Sequence, residues 1–319
     1  MASTTKNGSL LWHIVAITVA IVWGTTFVSS KILINAGMTP AEIMCVRFII
    51  AYICLLPISI RGCIKEGRGL RGLFCDNLKD EFGMLLLGIT GGSLYFLFEN
   101  SALEYTQASN VSIIICTTPL LTMLATSFLA HKGNGKSVST KTYLYSAIAL
   151  LGVVTVVLNG ELVLKLHPLG DILTFGASTV WVIYSILLPK LDSRYPTDMI
   201  TRKVFIYGVL TMLPVFIFRP WATPVSVLVQ PGVAGNLLFL GLLASFAGYF
   251  GWNAALSKIG AVRANNYLYL NPLATAVIAI PVLHERFTWI AGIGAILIIT
   301  GMALASRESN KTNQGGPTS

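Results

Sequence analysis

Charge is scarce in this chain of 319 residues. Lysine, arginine, aspartate and glutamate make up 11% of it, less than half of the share that soluble domains carry. No charged residue occurs between Glu81 and Glu99 or between Arg219 and Lys258. A helix that crosses a bilayer needs about 20 mostly apolar residues, and its backbone polar groups must be paired internally. The lack of charge therefore predicts an all-α, polytopic membrane protein rather than a soluble domain.

Cysteine is also scarce, and no pattern typical of a metal or cofactor site occurs. The five cysteines lack metal-ligand spacing. Three of them lie in apolar stretches and two in a loop that we expect to be cytoplasmic, which argues against disulfides. The four histidines are scattered along the chain, and there is no Walker-type glycine loop. We therefore expect no metal, no cofactor and no catalytic residue. These absences argue against an enzyme and exclude ATP as the driving force through this chain alone.

Apolar stretches of membrane-spanning length recur along the whole chain. Arg47 interrupts the second of them, and Pro214 with Arg219 shortens the seventh. Ten spans is the count that we predict, with nine or eleven as alternatives. The ten stretches are 11–34, 40–60, 82–103, 108–130, 142–159, 168–189, 200–219, 233–257, 263–283 and 288–306.

The positions of lysine and arginine orient the chain. If the N-terminus lies in the cytoplasm, 17 of the 22 Lys and Arg residues fall on the cytoplasmic side, as the positive-inside rule requires. We therefore expect residues 1–9 and 307–319 to be cytoplasmic tails, in a bacterial inner membrane. The net charge of +9 then belongs to loops beside anionic lipid and does not indicate nucleic acid. The remaining basic residues are Lys31, Lys165, Arg219 and Arg286 outside, and Arg47 within a span.

The two halves of the chain resemble each other. Residues 96–131 align with 249–284 without gaps, and the matched prolines, Pro119 and Pro272, should bend spans 4 and 9 at equivalent points. Residues 10–160 and 161–306 then form two repeats of five spans each, and an odd number of spans inverts the second copy. Inverted repeats are typical of secondary transporters. The identities are Asn100/Asn253, Ala102/Ala255, Leu103/Leu256, Ala108/Ala261, Pro119/Pro272, Leu120/Leu273, Thr122/Thr275 and His131/His284.

Short motifs at characteristic spacing add a resemblance to a known family. They are Val22-Trp23-Gly24-Thr25-Thr26-Phe27, Arg47-Phe48-Ile49-Ile50-Ala51, Asn100-Ser101-Ala102-Leu103, Thr118-Pro119-Leu120, Asn271-Pro272-Leu273 and His284-Glu285-Arg286-Phe287-Thr288. In order and spacing these motifs resemble the EamA branch of the drug/metabolite transporter superfamily, over roughly residues 10 to 306. The resemblance implies ten transmembrane helices in two inverted five-helix repeats.

Arg47 is the most costly residue of the predicted spans. Because span 2 begins at the outer face near Pro40, Arg47 lies roughly 10 Å deep at about 1.5 Å per residue. A charge at the centre of a span costs at least ~2.5 kcal/mol and normally faces a cavity or a partner. Glu99 in span 3 is within reach of the same depth. Either one or both of these residues line the outer half of a solute cavity, or Arg47 extends to the interface and Glu99 is interfacial.

Polar and aromatic residues of other spans complete the predicted site. Asn100 and Asn253 hold equivalent repeat positions and either contact solute or bridge helices. Trp181 lies near the midplane, where it either packs or offers an aromatic face for apolar contact and cation–π attraction. Span 9 has two polar faces, which is typical of a helix in the bundle interior. The predicted substrate-binding residues are Arg47, Glu99, Asn100, Trp181, Asn253, Tyr267 and Asn271.

These observations together indicate a secondary transporter. We expect it to move small organic solutes (amino acids, metabolites or drug-like compounds) by alternating access, in the direction of export. The alternatives are an exchanger or importer of the same fold, and a membrane receptor or enzyme that transports nothing. The expected partners are the solute and the lipid bilayer, without nucleic acid, and the chain acts as a monomer or homodimer.

Overall fold

The computed structural model describes residues 6–65, 67, 69–106, 108–132, 138–158, 168–283 and 289–314. Throughout these ranges the chain is helical apart from short turns, and they contain no strand. Several predicted features lie outside the described residues, namely the boundary between the repeats at 160 and 161, the outer cations Lys165 and Arg286, and the motif from His284 to Thr288.

Twelve helices carry the architecture of the described chain, and each of the ten predicted spans overlaps at least one of them. Single turns at Val215–Phe218 and Val225–Leu228 and 3-10 turns at Gly69–Leu73 and Tyr267–Leu270 join them. The helices are α1 (Lys6–Asn35), α2 (Pro40–Lys65), α3 (Leu78–Tyr105), α4 (Ala108–Ile115), α5 (Thr118–Lys132), α6 (Thr140–Leu158), α7 (Pro168–Asp192), α8 (Thr197–Met212), α9 (Pro231–Ile259), α10 (Ala261–Asn266), α11 (Asn271–Leu283) and α12 (Trp289–Gln314).

Six helical stretches are long and apolar enough to cross a membrane, which confirms an all-helical, multi-pass fold. The shorter apolar helices Thr118–Ala130 and Gly292–Ala305 add to them, so the count of ten spans stays a prediction. The six stretches are Leu10–Asn35, Pro40–Lys65, Leu78–Tyr105, Pro168–Asp192, Thr197–Phe218 and Pro231–Ile259.

Two of the predicted spans are interrupted at matched points. The helix over 108–132 breaks between Ile115 and Thr118, and that over 261–283 changes to a 3-10 turn at Tyr267–Leu270. In each case the next helix begins one residue before a proline, Pro119 or Pro272. Proline has no N–H to donate and fits best in the first turn of a helix, although Pro57 and Pro189 lie inside α2 and α7. The break therefore falls just before the proline in both copies.

The helix of the last predicted span continues into the polar C-terminal segment. Helix α12 continues past the apolar residues and ends at Gln314. Residues 307–314 have the sequence RESNKTNQ, in which Arg, Glu, Lys and Gln are good helix formers. A helix that has already begun extends at little cost, so the absence of apolar residues does not end it at position 306.

Helices pack closely where glycine allows it. The most extensive pairing joins α6 to α12, and others join α3 to α7, α2 to α8, and α1 to both α9 and α11. A Cβ atom added at Gly301 of α12 would lie 2.6 Å from the backbone nitrogen of Ala149 in α6. One added at Gly88 of α3 would lie 2.5 Å from the Cβ of Tyr207 in α8. Small residues at such crossings let the helix backbones approach.

Carboxylates near the starts of two helices join them to neighbouring segments by hydrogen bonds. Glu42, fully buried at the start of α2, accepts hydrogen bonds from the backbone N–H groups of Ala222 and Thr223 and from the Thr223 hydroxyl. This holds the segment after α8 against α2. Glu81, near the start of α3, accepts a hydrogen bond from the ammonium group of Lys203 in α8. Helices α2, α3 and α8 are thus tied together by charge as well as by packing.

Candidate functional site

A cavity lies between α1, α2, α3, α7 and α9 and the two interrupted spans. The space that protein atoms leave unfilled there is about 440 Å³. Its wall combines a cation, a carboxylate, several aromatic rings and a few uncharged polar groups. The lining residues are Trp23, Thr26, Phe27, Arg47, Tyr95, Phe96, Glu99, Ile115, Thr118, Trp181, Tyr249, Leu268 and Asn271.

Arg47 and Glu99 supply the charge of the cavity, and both side chains are almost completely buried. The Nε–H of Arg47 donates a hydrogen bond to the hydroxyl of Ser245 at 2.8 Å, and its guanidinium carbon lies 4.4 Å from the ring centre of Phe96. Glu99 lies beside the hydroxyl of Tyr95. Within the described part of the chain the two charges form no direct ion pair. Two opposite charges therefore face one cavity without neutralising each other by contact.

Aromatic rings form much of the remaining wall. The rings of Trp23 and Trp181 meet edge to face with centres 5.3 Å apart. Tyr95 lies 5.0 Å and Tyr249 5.9 Å from Trp181, again centre to centre. Such an arrangement offers a solute apolar contact and the negative faces of several rings.

Hydrogen bonds to neighbouring helices hold these rings in place. Trp181 donates its Nε1–H to the amide oxygen of Asn265 at 3.3 Å. Trp23 donates to the backbone carbonyl of Ala244 at 2.9 Å, and the Tyr249 hydroxyl donates to that of Gly91 at 2.6 Å. Rings that are bonded at their polar atoms have few alternative orientations, so the wall is preorganised.

Two uncharged polar groups of the wall have no hydrogen-bond partner among the described residues. They are the hydroxyl of Thr118 and the amide oxygen Oδ1 of Asn271, on side chains that are 1% and 2% exposed. A buried polar atom without a partner is costly, by about 1–3 kcal/mol. Because both residues line the cavity, a bound solute or water can supply the missing hydrogen bonds.

Four of the predicted site residues come together in this cavity, namely Arg47, Glu99, Trp181 and Asn271. The other three lie outside its lining, each in a different setting. The amide of Asn253 bridges helices, since it accepts a hydrogen bond from Tyr184 at 2.6 Å and donates one to Thr201 at 2.9 Å. The other two are Tyr267, whose hydroxyl lies 2.7 Å from Nδ1 of His13, and Asn100, which is buried without a hydrogen-bond partner in the described chain.

The repeat carries a signal for residues that the sequence analysis missed. Thr118 corresponds to Asn271, Phe96 to Tyr249 and Ile115 to Leu268 at an offset of 153 residues, and Trp23 corresponds to Trp181 at 158. All eight residues line the cavity. The counterparts of Asn271 and Trp181, namely Thr118 and Trp23, were therefore candidates in their own right.

Comparison with known proteins identifies the class to which this fold and cavity belong. The chain matches the EamA-like transporter family over residues 10–158 and again over 168–307. It is a membrane transporter rather than an enzyme, and it belongs to the EamA-like transporter family.

Relatives of similar length align with this chain over most of its length. An uncharacterized transporter of Archaeoglobus fulgidus is 26% identical over 302 residues, which cover 94% of this chain and 98% of the relative. The probable amino-acid metabolite efflux pump of Escherichia coli is 24% identical over 300 residues, covering 91% and 92%. A solved crystal structure with 20% identity superimposes with a TM-score of 0.70 and covers 94% of this chain and 98% of its own, so it shares the fold.

Proposed function

We propose that this protein is a secondary transporter for small zwitterionic organic solutes, with amino acids and their close derivatives as the leading class. The observation that carries the proposal is the pair of opposite charges, Arg47 and Glu99, beside an aromatic wall. The guanidinium suits a carboxylate of the solute, and Glu99 suits its ammonium group. The rings accommodate the apolar part. A few polar anchors within a mostly apolar pocket are the usual design of small-molecule sites.

The helix pairings support an inverted repeat around this cavity. If predicted span n corresponds to span n + 5, α2 and α8 are counterparts and pack together, as do α6 and α12. The contact of α3 with α7 is matched by that of α9 with α1. The two separate family matches also divide the chain near the expected boundary. Two halves that pack symmetrically around a central site suit alternating access, in which one half moves against the other.

Export from the cytoplasm of a bacterial cell is the direction we propose. The positive-inside rule favours an orientation with both tails in the cytoplasm, and the E. coli relative is described as an efflux pump. An exchanger or importer would use the same cavity, so direction has to be measured. A monomer or a homodimer agrees equally well with a cavity that lies within one chain.

Reconstitution tests the proposed function. Purified protein in liposomes should accumulate or exchange radiolabelled amino acids, and zwitterions with apolar side chains should compete best. Anionic and cationic analogues of the same size, such as an N-acetyl amino acid and an amino acid amide, should compete poorly because each lacks one charge. Folded protein that moves no solute of this panel, with or without a pH gradient, contradicts the proposal.

A further inference from the structure

Two helices that line the cavity contain a π-helical segment. In α3 it covers Ile89–Ser93, and in α9 it covers Phe239–Ala247. At the offset of 153 residues the first segment corresponds to 242–246, inside the second. Each π segment thus occupies the same place in its half of the chain. π-helical turns are uncommon and occur frequently at functional sites.

A π-helical turn leaves backbone acceptors outside the regular helical pattern. The N–H of Gly248 donates to the carbonyls of Leu243 and Ser245 and passes over that of Ala244, four residues before it. The carbonyl of Ala244 instead accepts the hydrogen bond from Trp23. In the other half the corresponding carbonyl, that of Gly91, accepts the hydrogen bond from Tyr249. Matched backbone oxygens therefore hold two rings of the cavity wall.

The segment in α9 also holds the charge. Ser245, the residue after Ala244, is fully buried and accepts the hydrogen bond from Arg47. It does not line the cavity, so it contacts the guanidinium on the side away from the cavity. The corresponding residue of α3 is Gly92, which has no side chain to offer. Only the second half therefore provides this support.

Glycine in the first segment and directly after the second lets aromatic rings approach both of them. A Cβ atom added at Gly91 would lie 2.3 Å from the ring of Tyr184. One added at Gly248, just after the segment in α9, would lie 2.8 Å from Nε1 of Trp23. Both distances are shorter than real Cβ contacts, so the rings sit where only glycine admits them.

We propose that the two π-helical segments are the positioning elements of the solute site, and that Ser245 is a positioning residue that acts through Arg47. The segment in α9 fixes Arg47 and Trp23, while the segment in α3 fixes Tyr249. This proposal rests on the proposed function, because it assigns to Arg47 the carboxylate of the solute. It adds that specificity depends on a serine and two backbone carbonyls that do not line the cavity.

The proposal can be tested with Ser245→Ala in proteoliposomes, with radiolabelled L-phenylalanine as the probe. We expect the KM to rise about tenfold, as for the loss of one hydrogen bond to a charged group, with little change in the maximal rate. Ser245→Thr keeps the hydroxyl and should restore most of the affinity. In an Arg47→Gln background, Ser245→Ala should have no further effect on KM, because Ser245 acts only through Arg47.

Ser59→Ala is the matched control. Ser59 is a buried serine of α2, the helix that carries Arg47, but it lies outside both π-helical segments and does not line the cavity. Its substitution should leave the KM unchanged. Tyr249→Phe removes only the hydroxyl that bonds Gly91 and should raise the KM, which gives a second test if Ser245→Ala does not fold.

The outcomes separate this proposal from the proposed function. If the wild type transports L-phenylalanine but Ser245→Ala and Tyr249→Phe keep its KM, the positioning role is wrong and the transport function stands. An effect of Ser245→Ala that persists undiminished in the Arg47→Gln background also overturns it. If folded wild-type protein transports no zwitterion, both proposals fail.

Discussion

Arg47 and Glu99 both come from the first half of the chain, although the aromatic residues of the cavity come from both. The residue that corresponds to Glu99 in the second half is Trp252, which is buried and packs on Trp23 with ring centres 4.8 Å apart. The cavity is thus asymmetric in charge. If it binds the zwitterionic solute that we propose, the polar groups of the solute would be directed toward α2 and α3 and its apolar part toward the aromatic rings, which would give one preferred orientation.

Glu99→Gln tests the carboxylate. The substitution keeps the size of the side chain but removes its charge and its ability to release a proton. We expect the KM for a zwitterionic solute to rise about tenfold or more, as for loss of a hydrogen bond between charged groups, and the pH–rate profile to change. Initial rates of uptake at several solute concentrations, measured between about pH 5.5 and 8.5, report both effects.

Glu104→Gln is the control for this experiment. Glu104 lies five residues further along α3, but it is partly exposed and pairs with Arg219 at 3.3 Å, so its substitution should leave transport unchanged. If Glu99→Gln has the same pH–rate profile as the wild type, Glu99 carries no coupled proton, and facilitated diffusion is favoured.

Asn271 and Asn253 have the same side chain in different settings, and their alanine variants should behave oppositely. Asn271 has an unpaired Oδ1 at the cavity, so Asn271→Ala should lower solute affinity with little loss of stability. Asn253 has two buried hydrogen bonds, so Asn253→Ala should cost about 1–3 kcal/mol of unfolding free energy and leave KM unchanged. Thermal unfolding in detergent and uptake kinetics measure the two effects. Equal losses of stability with unchanged KM would make Asn271 part of the scaffold.

The same comparison explains which site residues the sequence could predict. A charge or an amide is unusual in an apolar helix, so Arg47, Glu99 and Asn271 were identifiable from residue type alone. Tyr95 and Tyr249 were not, because aromatic residues are common in membrane helices and only the rotation of the helix decides whether a ring packs or lines a cavity. Residue type also does not decide whether an amide side chain faces the cavity, as that of Asn271 does, or bridges helices, as that of Asn253 does.

At the scale of whole elements, hydropathy predicted where helices occur but not how they deviate from regular geometry. The breaks near 116 and 268 were predictable because Pro119 and Pro272 lack an N–H group. The π-helical segments Ile89–Ser93 and Phe239–Ala247 were not, since neither the glycine-containing first segment nor the apolar second one has a pattern that distinguishes a π-helical turn from a regular one. Carbonyls of these segments accept hydrogen bonds from Tyr249 and Trp23 of other helices, and such contacts exist only in the folded bundle.

At the scale of the whole molecule, hydrogen bonds to carboxylates join several helices at their ends, around the central cavity. Glu42 ties the segment after α8 to α2, and Glu81 ties α3 to α8. Helix α1 contacts α9 and α11, and α9 also contacts α2. In the alternating access that we propose, contacts between these helices would open on one side of the membrane at a time, and that side can be named only once the orientation of the chain is known.

That orientation can be measured by cysteine labelling in a variant whose five natural cysteines are replaced by alanine or serine. Ser193 lies in an exposed turn between α7 and α8, on the side predicted to be cytoplasmic, and Gln230 lies in an exposed segment before α9, on the outer side. A membrane-impermeant maleimide should therefore label Gln230→Cys in intact spheroplasts and Ser193→Cys only after permeabilisation.

Val225→Cys, exposed in the same outer segment, should react like Gln230→Cys, which controls for local reactivity. If Ser193→Cys reacts in intact cells while both outer positions are protected, the chain is inverted. The 17 basic residues assigned to the cytoplasm would then face outward against the positive-inside rule, and the proposed export would lose its structural support.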